Sequence, residues 1–339
     1  RFAPAFYLWP MKLRTEISVP KSDFNIGLHH NLLSVGSCFS DQMGLRLQQH
    51  KFNILVNPFG TVFQPLNLIR LLSYSMQQPP LMNTNRVVER DGVFYHYDFH
   101  SRLSATSEEA LTEQINRSLE NAHHQLKHGN YLLLTFGSAI NYHLQSTGEV
   151  VTNNHKMPAQ LFFRKWSVLN ELVEQLVHFF RNELFPFNPE LRIIVTVSPV
   201  RHTREGIAAN NLSKSLLRLA AEELVKTFPD RVSYFPAYEI MIDDLRDYRF
   251  YADDLVHPNN PAEQYIWEWF TQTYLDQQAL SFLPVWNNIR QALNHRPQHP
   301  ESAAHQQFLK KTLDQLKNLN YPVNVDQEIN FIQKQITRK

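Results

Sequence analysis

The stretch YLLLTFGS, residues 131–138, indicates the fold class of this chain. Its first five residues are almost entirely apolar on both faces of an extended chain, and RIIVTV at 192–197 repeats the pattern. Such strands are typical of a parallel sheet, because a parallel sheet is covered by helices on both sides. Shorter apolar runs at 32–35, 52–56 and 232–235 are further strand candidates. Together these runs predict a parallel sheet.

Helical patterns alternate with the predicted strands. They lie at 41–50, 65–76, 107–127, 166–181, 210–228 and 262–274. This alternation predicts a doubly wound α/β layer. Residues 79–104 interrupt it as a predicted insertion with short strands (RVVER, VFYHYDF), and the polar segment from 284 to the end predicts a C-terminal helical appendage. Residues 1–10, before a natural-looking start at Met11, are excluded from these predictions.

Composition excludes several classes of protein. Lysine and arginine total 33 against 32 acidic residues, so the charge favours neither nucleic acid nor an anionic membrane as a partner. A single cysteine cannot form an internal disulfide, which favours a reducing, cytoplasmic location. There is no apolar stretch of about 18 residues to span a membrane. Without metal-binding or nucleotide-binding motifs, we expect no cofactor. Composition leaves the oligomeric state open.

Glycines and polar residues are concentrated where the predicted strands end, although the chain has only 9 glycines. In an open parallel sheet, ligands bind beyond the carboxyl ends of the strands. We therefore expect the functional site at this edge. The residues there, in strand order, are Gly36, Ser37, Cys38 and Ser40, then Asn57 and Gly60, then Gly137 and Ser138, then Arg201 and His202, then Glu239, Asp254 and His257.

The sequence allows two interpretations of Cys38. It lies just before a predicted helix, where backbone N–H groups would lower the pKa of a thiol and could hold an oxyanion. It could equally be a buried cysteine that packs as a small hydrophobic residue. Ser37 and Ser40 share the turn, and either could be the N-cap of the helix.

Asp254 and His257 are three residues apart in DDLVHPNNPAEQYIWEWF, residues 253–270, just before a helix. That spacing places both side chains on one side of a single turn. His257 could then be a general base that Asp254 orients by a hydrogen bond. The alternative is a capping aspartate beside a solvated histidine.

Taken together, these stretches resemble the SGNH (GDSL-like) hydrolase superfamily, and more closely its GSCFA family. The block that gives that family its name reads GSCFS here, at 36–40. The resemblance covers roughly residues 11–275. Further family-like segments follow in order: NPFGTVFQP, DFHS, VVTNNHKMP, TVSPVRH, SKSLLRLAAEEL and YFPAYEIMIDDLRDYRFYADDLVHPN.

The resemblance implies a flavodoxin-like three-layer α/β/α sandwich, with an α/β domain over 11–283 and the helical appendage over 284–339. It places Cys38 at the nucleophile position and Ser37 at the aspartate that precedes it. It makes His257 the base, Asp254 its orienting residue, and the Gly60 N–H an oxyanion donor. The implied activity is acyl hydrolysis or acyl transfer on a small-molecule substrate.

One block departs from the superfamily pattern. Gly-x-Asn-Asp is expected after the third strand, and the chain has Gly137, Ser138, Ala139 and Ile140 instead. Asn141 or Asn153 could supply the missing oxyanion donor, and we favour Asn153 because polar residues flank it. Its role could instead be to fix a loop.

Other family-like residues are candidates for a substrate pocket. They are His155, Arg201 and Glu239, with His100 and His202 beside them. Arg201 could bind a carboxylate or a phosphate. Each could instead be a structural hydrogen-bonding residue.

Two further functions stay open. The fold could serve as a catalytically silent binding module, as the missing Gly-x-Asn-Asp block suggests. Hydrolysis could also use Ser37 as the nucleophile, with Cys38 pointing inward.

Overall fold

The structure, a computed structural model, describes residues 15–77 and 84–336. The predictions about residues 1–10 and Met11 lie outside the described residues, as does the start of the predicted insertion. No helix within the described ranges combines the length and the apolar character that crossing a bilayer requires.

The strands that the structure describes form a central sheet and two small ones. Their bounds are β1 (Asn31–Gly36), β2 (Asn53–Val56), β3 (Val87–Arg90), β4 (Val93–His96), β5 (Tyr131–Phe136), β6 (Ile140–Leu144), β7 (Val150–Val151), β8 (Phe162–Trp166), β9 (Arg192–Val197) and β10 (Val232–Phe235). The central sheet runs β10-β9-β5-β1-β2 with every pairing parallel. Read along the chain this is the order 2-1-3-4-5, which is the flavodoxin-like arrangement. The predicted fold class is confirmed.

Helices cover both faces of this sheet. Their bounds are α1 (Cys38–Gln49), α2 (Pro65–Met76), α3 (Glu108–His128), α4 (Leu169–Phe179), α5 (Phe185–Phe187), α6 (Ile207–Thr227), α7 (Ala237–Glu239), α8 (Asn260–Tyr274), α9 (Gln277–Asn294), α10 (Ala303–Lys317) and α11 (Asp326–Ile336). The apolar sides of α2, α3, α4 and α6 pack on one face, and those of α1, α8 and α9 pack on the other.

Strand β5 shows why the sheet is apolar on both faces. Leu132 and Leu134 point into the core beneath α2, α3, α4 and α6, whereas Tyr131 and Leu133 point into the core beneath α1 and α8. Side chains alternate between faces along a strand, so a strand between two helical layers is apolar at nearly every position, and Thr135 is the exception in β5. Each buried leucine contributes about 2 kcal/mol through removal of apolar surface from water.

Four predicted helices begin two or three residues away from their observed starts, among them α6, which begins at Ile207 rather than at 210, and α8, which begins at Asn260 rather than at 262. Helix α1 begins at Cys38 rather than at 41, because Ser37 caps it. The helix predicted over 166–181 begins at Leu169, because residues 162–166 form β8 instead. Its last turns widen into a π-helix, Phe180–Leu184, before α5.

The additions to the sheet lie in loops and at the C-terminal end. Strands β3 and β4 form an antiparallel hairpin in the predicted insertion. Strands β7, β6 and β8 form a second small antiparallel sheet that the sequence did not predict. Helix α9 runs through position 284, the predicted start of the appendage, and α10 and α11 follow it.

Candidate functional site

The turn between β1 and α1 is pressed against the neighbouring strand β5. Gly36 has φ +142°, and a β-carbon there would lie 2.3 Å from the Thr135 carbonyl oxygen. Its N–H donates to Asn57 Oδ1 across 2.8 Å. Only glycine fits such an approach at this φ. The turn therefore holds the residues that follow it in a fixed place at the carboxyl edge of the sheet.

Ser37 and Cys38 have different roles in this turn. Ser37 is the N-cap of α1: its buried Oγ accepts a hydrogen bond from the Phe39 N–H across 3.3 Å. That confirms one of the two capping predictions. Cys38 is the first residue of the helix and is half-buried. The more accessible of the two groups is thus the thiol.

The electrostatics of Cys38 differ from the expectation of a lowered pKa. Burial raises the pKa of the thiol, and the Asp41 carboxylate raises it further. Lys214 acts in the opposite direction, as do the N–H groups of Cys38 and Phe39. Burial outweighs the helix N-terminus because it removes the solvent that would stabilise a thiolate.

Asp254 and His257 are joined as the spacing predicted. The two side chains lie 2.6 Å apart, from His257 Nδ1 to Asp254 Oδ2, and Asp254 Oδ1 accepts the N–H groups of Val256 and His257. These hydrogen bonds lower the pKa of Asp254 to about 2. A carboxylate only accepts, so Nδ1 carries the proton and Nε2 has a free lone pair in the neutral ring.

Nε2 of His257 is unbonded within the described residues, and no hydrogen bond joins this ring to the Cys38 sulfur there. The ring is 41% exposed. Its loop docks on the end of β9, where the Arg201 N–H donates to the Val256 carbonyl across 3.1 Å. The pair is therefore in place at the predicted edge, with its basic nitrogen open.

A fully buried lysine, which the sequence reasoning missed, lies at the same edge. Lys214 of α6 is 0% exposed, and its Nζ donates to the Gly137 carbonyl across 2.9 Å. Burial lowers the pKa of Lys214 to about 7, and the nearby Cys38 opposes that shift. A signal was present in the sequence: Lys214 falls on the helical stripe that holds Leu217, Ala221 and Leu224.

His202 interacts electrostatically with both Lys214 and His257. Its Nε2 donates to the same Gly137 carbonyl across 3.0 Å. Burial is the main reason that the pKa of His202 falls to about 4, and the charges of Lys214 and His257 contribute. Electrostatic interactions therefore run from Cys38 through Lys214 and His202 to His257, across three neighbouring strand ends.

Gly60 follows β2, which pairs with β1 on the side opposite β5. It has φ +75°, and its N–H donates to the Asn57 carbonyl across 2.9 Å. A β-carbon there would lie 2.3 Å from Cβ of His100. Asp41, which acts on Cys38, also acts on His100. Gly60 therefore lies at the strand end next to that of Cys38, and its N–H is already bonded within a turn.

The two asparagines that could replace the missing block have different contacts. Asn141 is buried and donates through Nδ2 to Ser167 Oγ across 2.9 Å. The side-chain Oδ1 of Asn153 accepts a hydrogen bond from the His155 N–H, and the backbone N–H of Asn153 donates to the Tyr97 carbonyl. Its Nδ2 makes no hydrogen bond within the described residues, so Asn153 keeps a free donor.

His155 and Glu239 have internal partners. The His155 ring donates through Nε2 to the His96 carbonyl and accepts at Nδ1 from Ser101, and burial lowers its pKa to about 4. The Glu239 carboxylate accepts from the Tyr234 hydroxyl and from Arg218. These contacts give both residues a structural function, and a substrate contact for either stays a prediction.

Arg201 is the candidate pocket residue that lies closest to the histidine loop. Its guanidinium carbon lies 3.8 Å from the ring centre of Tyr251, and Nη1 donates to the Leu255 carbonyl. It lines a cavity of about 120 Å³ together with Arg246 and Tyr248. A wider cavity of about 620 Å³, between α2 and α4, includes none of the predicted site residues.

In the described part of the chain, no cluster of three or more His, Cys, Asp or Glu side chains is arranged to hold a metal ion. The functional groups described at this edge of the sheet are a thiol, a histidine–carboxylate pair and a buried amine.

Comparison with protein families covers both the sheet domain and the terminal helices. The model described as GSCFA family matches residues 31–270, a span that holds the Cys38 turn and the His257 loop. The model described as GSCFA domain protein, C-terminal domain, matches residues 286–338. No curated protein and no solved structure matches the chain.

Proposed function

The chain belongs to the GSCFA family, and on that premise we propose that it is an SGNH-like acyl hydrolase or acyltransferase with a cysteine nucleophile. The observation that carries the proposal is the Asp254–His257 pair, whose free Nε2 lies at the same sheet edge as the half-buried thiol of Cys38. A nucleophile, a base and a group that orients the base are the parts that acyl transfer through a covalent intermediate requires.

In the proposed reaction, His257 Nε2 takes the proton of the Cys38 thiol as the sulfur attacks the acyl carbon. The tetrahedral intermediate collapses when the leaving group departs with the proton that His257 returns. A thioester on Cys38 results. Nε2 then takes a proton from the acceptor, which is water in hydrolysis and an amine or alcohol in transfer, and the thiol is regenerated.

Three donors are proposed for the oxyanion. The first is the N–H of Cys38 itself, at the positive end of the α1 dipole. Gly60 could contribute only by releasing the Asn57 carbonyl, which its N–H now occupies. Asn153 could supply its unbonded Nδ2. The oxyanion of the transition state would then accept hydrogen bonds from donors at two or three strand ends.

Arg201 suggests the chemical class of the substrate. Its guanidinium lies over the ring of Tyr251 and lines a small cavity that Arg246 also lines. Two guanidinium groups against the one carboxylate of Asp247 leave an excess of positive charge at this cavity, which favours a carboxylate or phosphate. We propose that the acyl group or its acceptor carries such an anionic group.

The test of the proposal is to trap the acyl-enzyme. The protein is mixed with activated esters and acyl thioesters that differ in chain length and charge, then quenched in acid and analysed by peptide mass spectrometry. We expect an adduct on the peptide that contains Cys38, and none in Cys38→Ala. Full turnover by Cys38→Ala would exclude Cys38 as the nucleophile. Wild-type turnover by Cys38→Ser would favour Ser37 instead.

A catalytically silent binding module is the second candidate. Three observations favour it: the Gly60 N–H is occupied, Cys38 and His257 do not form a hydrogen bond, and burial raises the pKa of the thiol. The rate of thiol alkylation across pH separates the two candidates. A thiol that reacts only above its ordinary pKa range, with no acyl adduct from any donor, supports the binding module.

A further inference from the structure

Lys214 is buried in a position where a lysine with only a structural function would be unfavourable. It is fully buried, it has one hydrogen bond, to the Gly137 carbonyl, and within the described residues it has no carboxylate partner. An ammonium group has three donors, and a buried charge without a counter-ion is costly. A neutral amide or a methionine would fill the same space at lower cost. The lysine is therefore better explained by an anion that forms beside it.

The register of the sheet shows where that anion would form. Gly36 pairs with Thr135 in the ladder between β1 and β5. Two residues beyond each of these are Cys38 and Gly137, so the carbonyl that holds Lys214 lies at the strand end next to the thiol. Lys214 and Cys38 also act on each other electrostatically, each shifting the other toward its charged form.

The other titratable groups around Lys214 and Cys38 do not replace either one as the charged partner of the other. Asp41 raises the pKa of Cys38 and so opposes the thiolate. His202 shares the Gly137 carbonyl with Lys214, and its low pKa keeps its ring neutral. The Tyr238 ring centre lies 6.0 Å from Nζ. Among the residues that act on Cys38, Lys214 is the cation.

We propose that the Lys214 ammonium is the buried counter-ion of the Cys38 thiolate. His257 removes the thiol proton, and Lys214 stabilises the sulfur anion that remains. Lys214 is thus a positioning residue for the nucleophile. It lies outside the sequence blocks by which the chain resembles SGNH enzymes at Cys38, Gly60, Asp254 and His257, and within the segment SKSLLRLAAEEL, residues 213–224, that resembles the GSCFA family. The inference rests on the proposed function only in taking Cys38 as the reacting group.

The test measures the reactivity of the Cys38 thiol directly and needs no substrate. Iodoacetamide alkylation of Cys38 is followed by mass spectrometry from pH 5 to 10 in the wild type, Lys214→Met and Lys214→Gln. Glutamine keeps a neutral donor for the Gly137 carbonyl, so it separates the charge from the hydrogen bond. Lys226→Met is the matched control, because Lys226 is exposed on the same helix.

Both Lys214 variants should lower the alkylation rate about tenfold below pH 7, where the wild-type lysine is charged, and should approach the wild-type rate as the pH rises and that lysine loses its proton. At pH 10 the rates should agree within about twofold, because the lysine is then neutral in the wild type as well. Lys226→Met should superimpose on the wild type. Profiles of both Lys214 variants that match the wild type would overturn the proposal, and so would a lower rate in Lys214→Met alone.

A second measurement leaves Lys214 in place, in case its variants do not fold. Electrostatic coupling is reciprocal. The Cys38→Asp variant, which places a permanent anion at the position of the thiol, should therefore shift the titration of the Lys214 ε-carbon, followed by NMR, to higher pH than in the isosteric Cys38→Asn. An unchanged lysine titration overturns the counter-ion. Loss of the acyl adduct with this coupling intact would instead reject only the proposed function.

Discussion

His257 donates from Nδ1 to Asp254 Oδ2 across 2.6 Å, and the same aspartate accepts the backbone N–H of His257. The aspartate therefore fixes both the ring and the backbone that carries it. This double contact sets the tautomer and leaves Nε2 as the basic nitrogen. It also ties the stability of the loop to the charge of Asp254.

Asp254→Asn should lower kcat/KM by about 10²- to 10⁴-fold, because an amide can hold the imidazole in the wrong tautomer. The neighbouring Asp253, which is exposed, gives the control Asp253→Asn, expected to stay near wild type. Steady-state kinetics on the best ester from the trapping experiment provides the comparison. Equal activity in both variants would remove Asp254 from the mechanism.

The same contact has a pH dependence with a definite sign. The pKa of Asp254 in the folded chain is about 2, below its ordinary value, so its interactions stabilise the fold above about pH 4 and are lost as the pH falls toward 2. The difference in unfolding free energy between the wild type and Asp254→Asn should therefore shrink between pH 5 and 2. Urea titrations at each pH measure it, and a constant difference would contradict the assignment.

The parallel sheet was predictable from sequence because its strands are apolar on both faces, and β9 and β10 were predicted with their observed bounds. The Asp254–His257 contact was predictable because it is local. The sheet β7-β6-β8 was not, since its strands are half-exposed and pair only through tertiary contacts. The position of Lys214 beside Cys38 depends on residues 176 positions apart meeting at adjacent strand ends, which no local pattern reveals.

Ser37→Ala should lower the free energy of unfolding by about 1 kcal/mol, because Oγ caps α1. It should nevertheless keep the acyl adduct on Cys38, since the proposed nucleophile is the neighbouring thiol. Ser302→Ala is the matched control: it removes an N-cap from α10 and should have a similar cost in stability. Guanidinium denaturation with adduct mass spectrometry tests both, and loss of the adduct in Ser37→Ala alone would favour the serine nucleophile.

Gly60→Ala and Gly92→Ala separate steric overlap from backbone strain. Both glycines have φ +75°, but a β-carbon at Gly60 meets His100 at 2.3 Å, whereas one at Gly92 meets nothing within 4 Å. Gly92→Ala should cost about 1 kcal/mol of strain. Gly60→Ala should cost a further 1–3 kcal/mol, roughly the range for overpacking. Thermal and chemical denaturation measure both, and equal costs would show that His100 moves aside freely.

Arg201→Met should distinguish anionic from neutral substrates. It should lower kcat/KM about tenfold, or about 1.4 kcal/mol, for an ester whose acyl chain ends in a carboxylate, and leave a neutral ester of equal length unchanged. Arg117→Met is the control, since Arg117 is exposed on α3 and does not line the cavity. A parallel loss on both esters would mean that Arg201 acts by holding the Leu255 loop rather than by binding charge.

Lys214→Met should be more stable than the wild type below pH 7, and its advantage should shrink as the pH rises. The pKa of Lys214 falls from 10.5 to about 7 in the folded chain, so between these values the unfolded state binds more protons and the wild type gains stability with pH. The gain is at most about 1.4 kcal/mol for each pH unit in that window. Unfolding free energies of both proteins at pH 6, 8 and 10 test this. A difference that does not change with pH would show that the lysine is not buried as a charge, and the counter-ion proposal would then lose its physical basis.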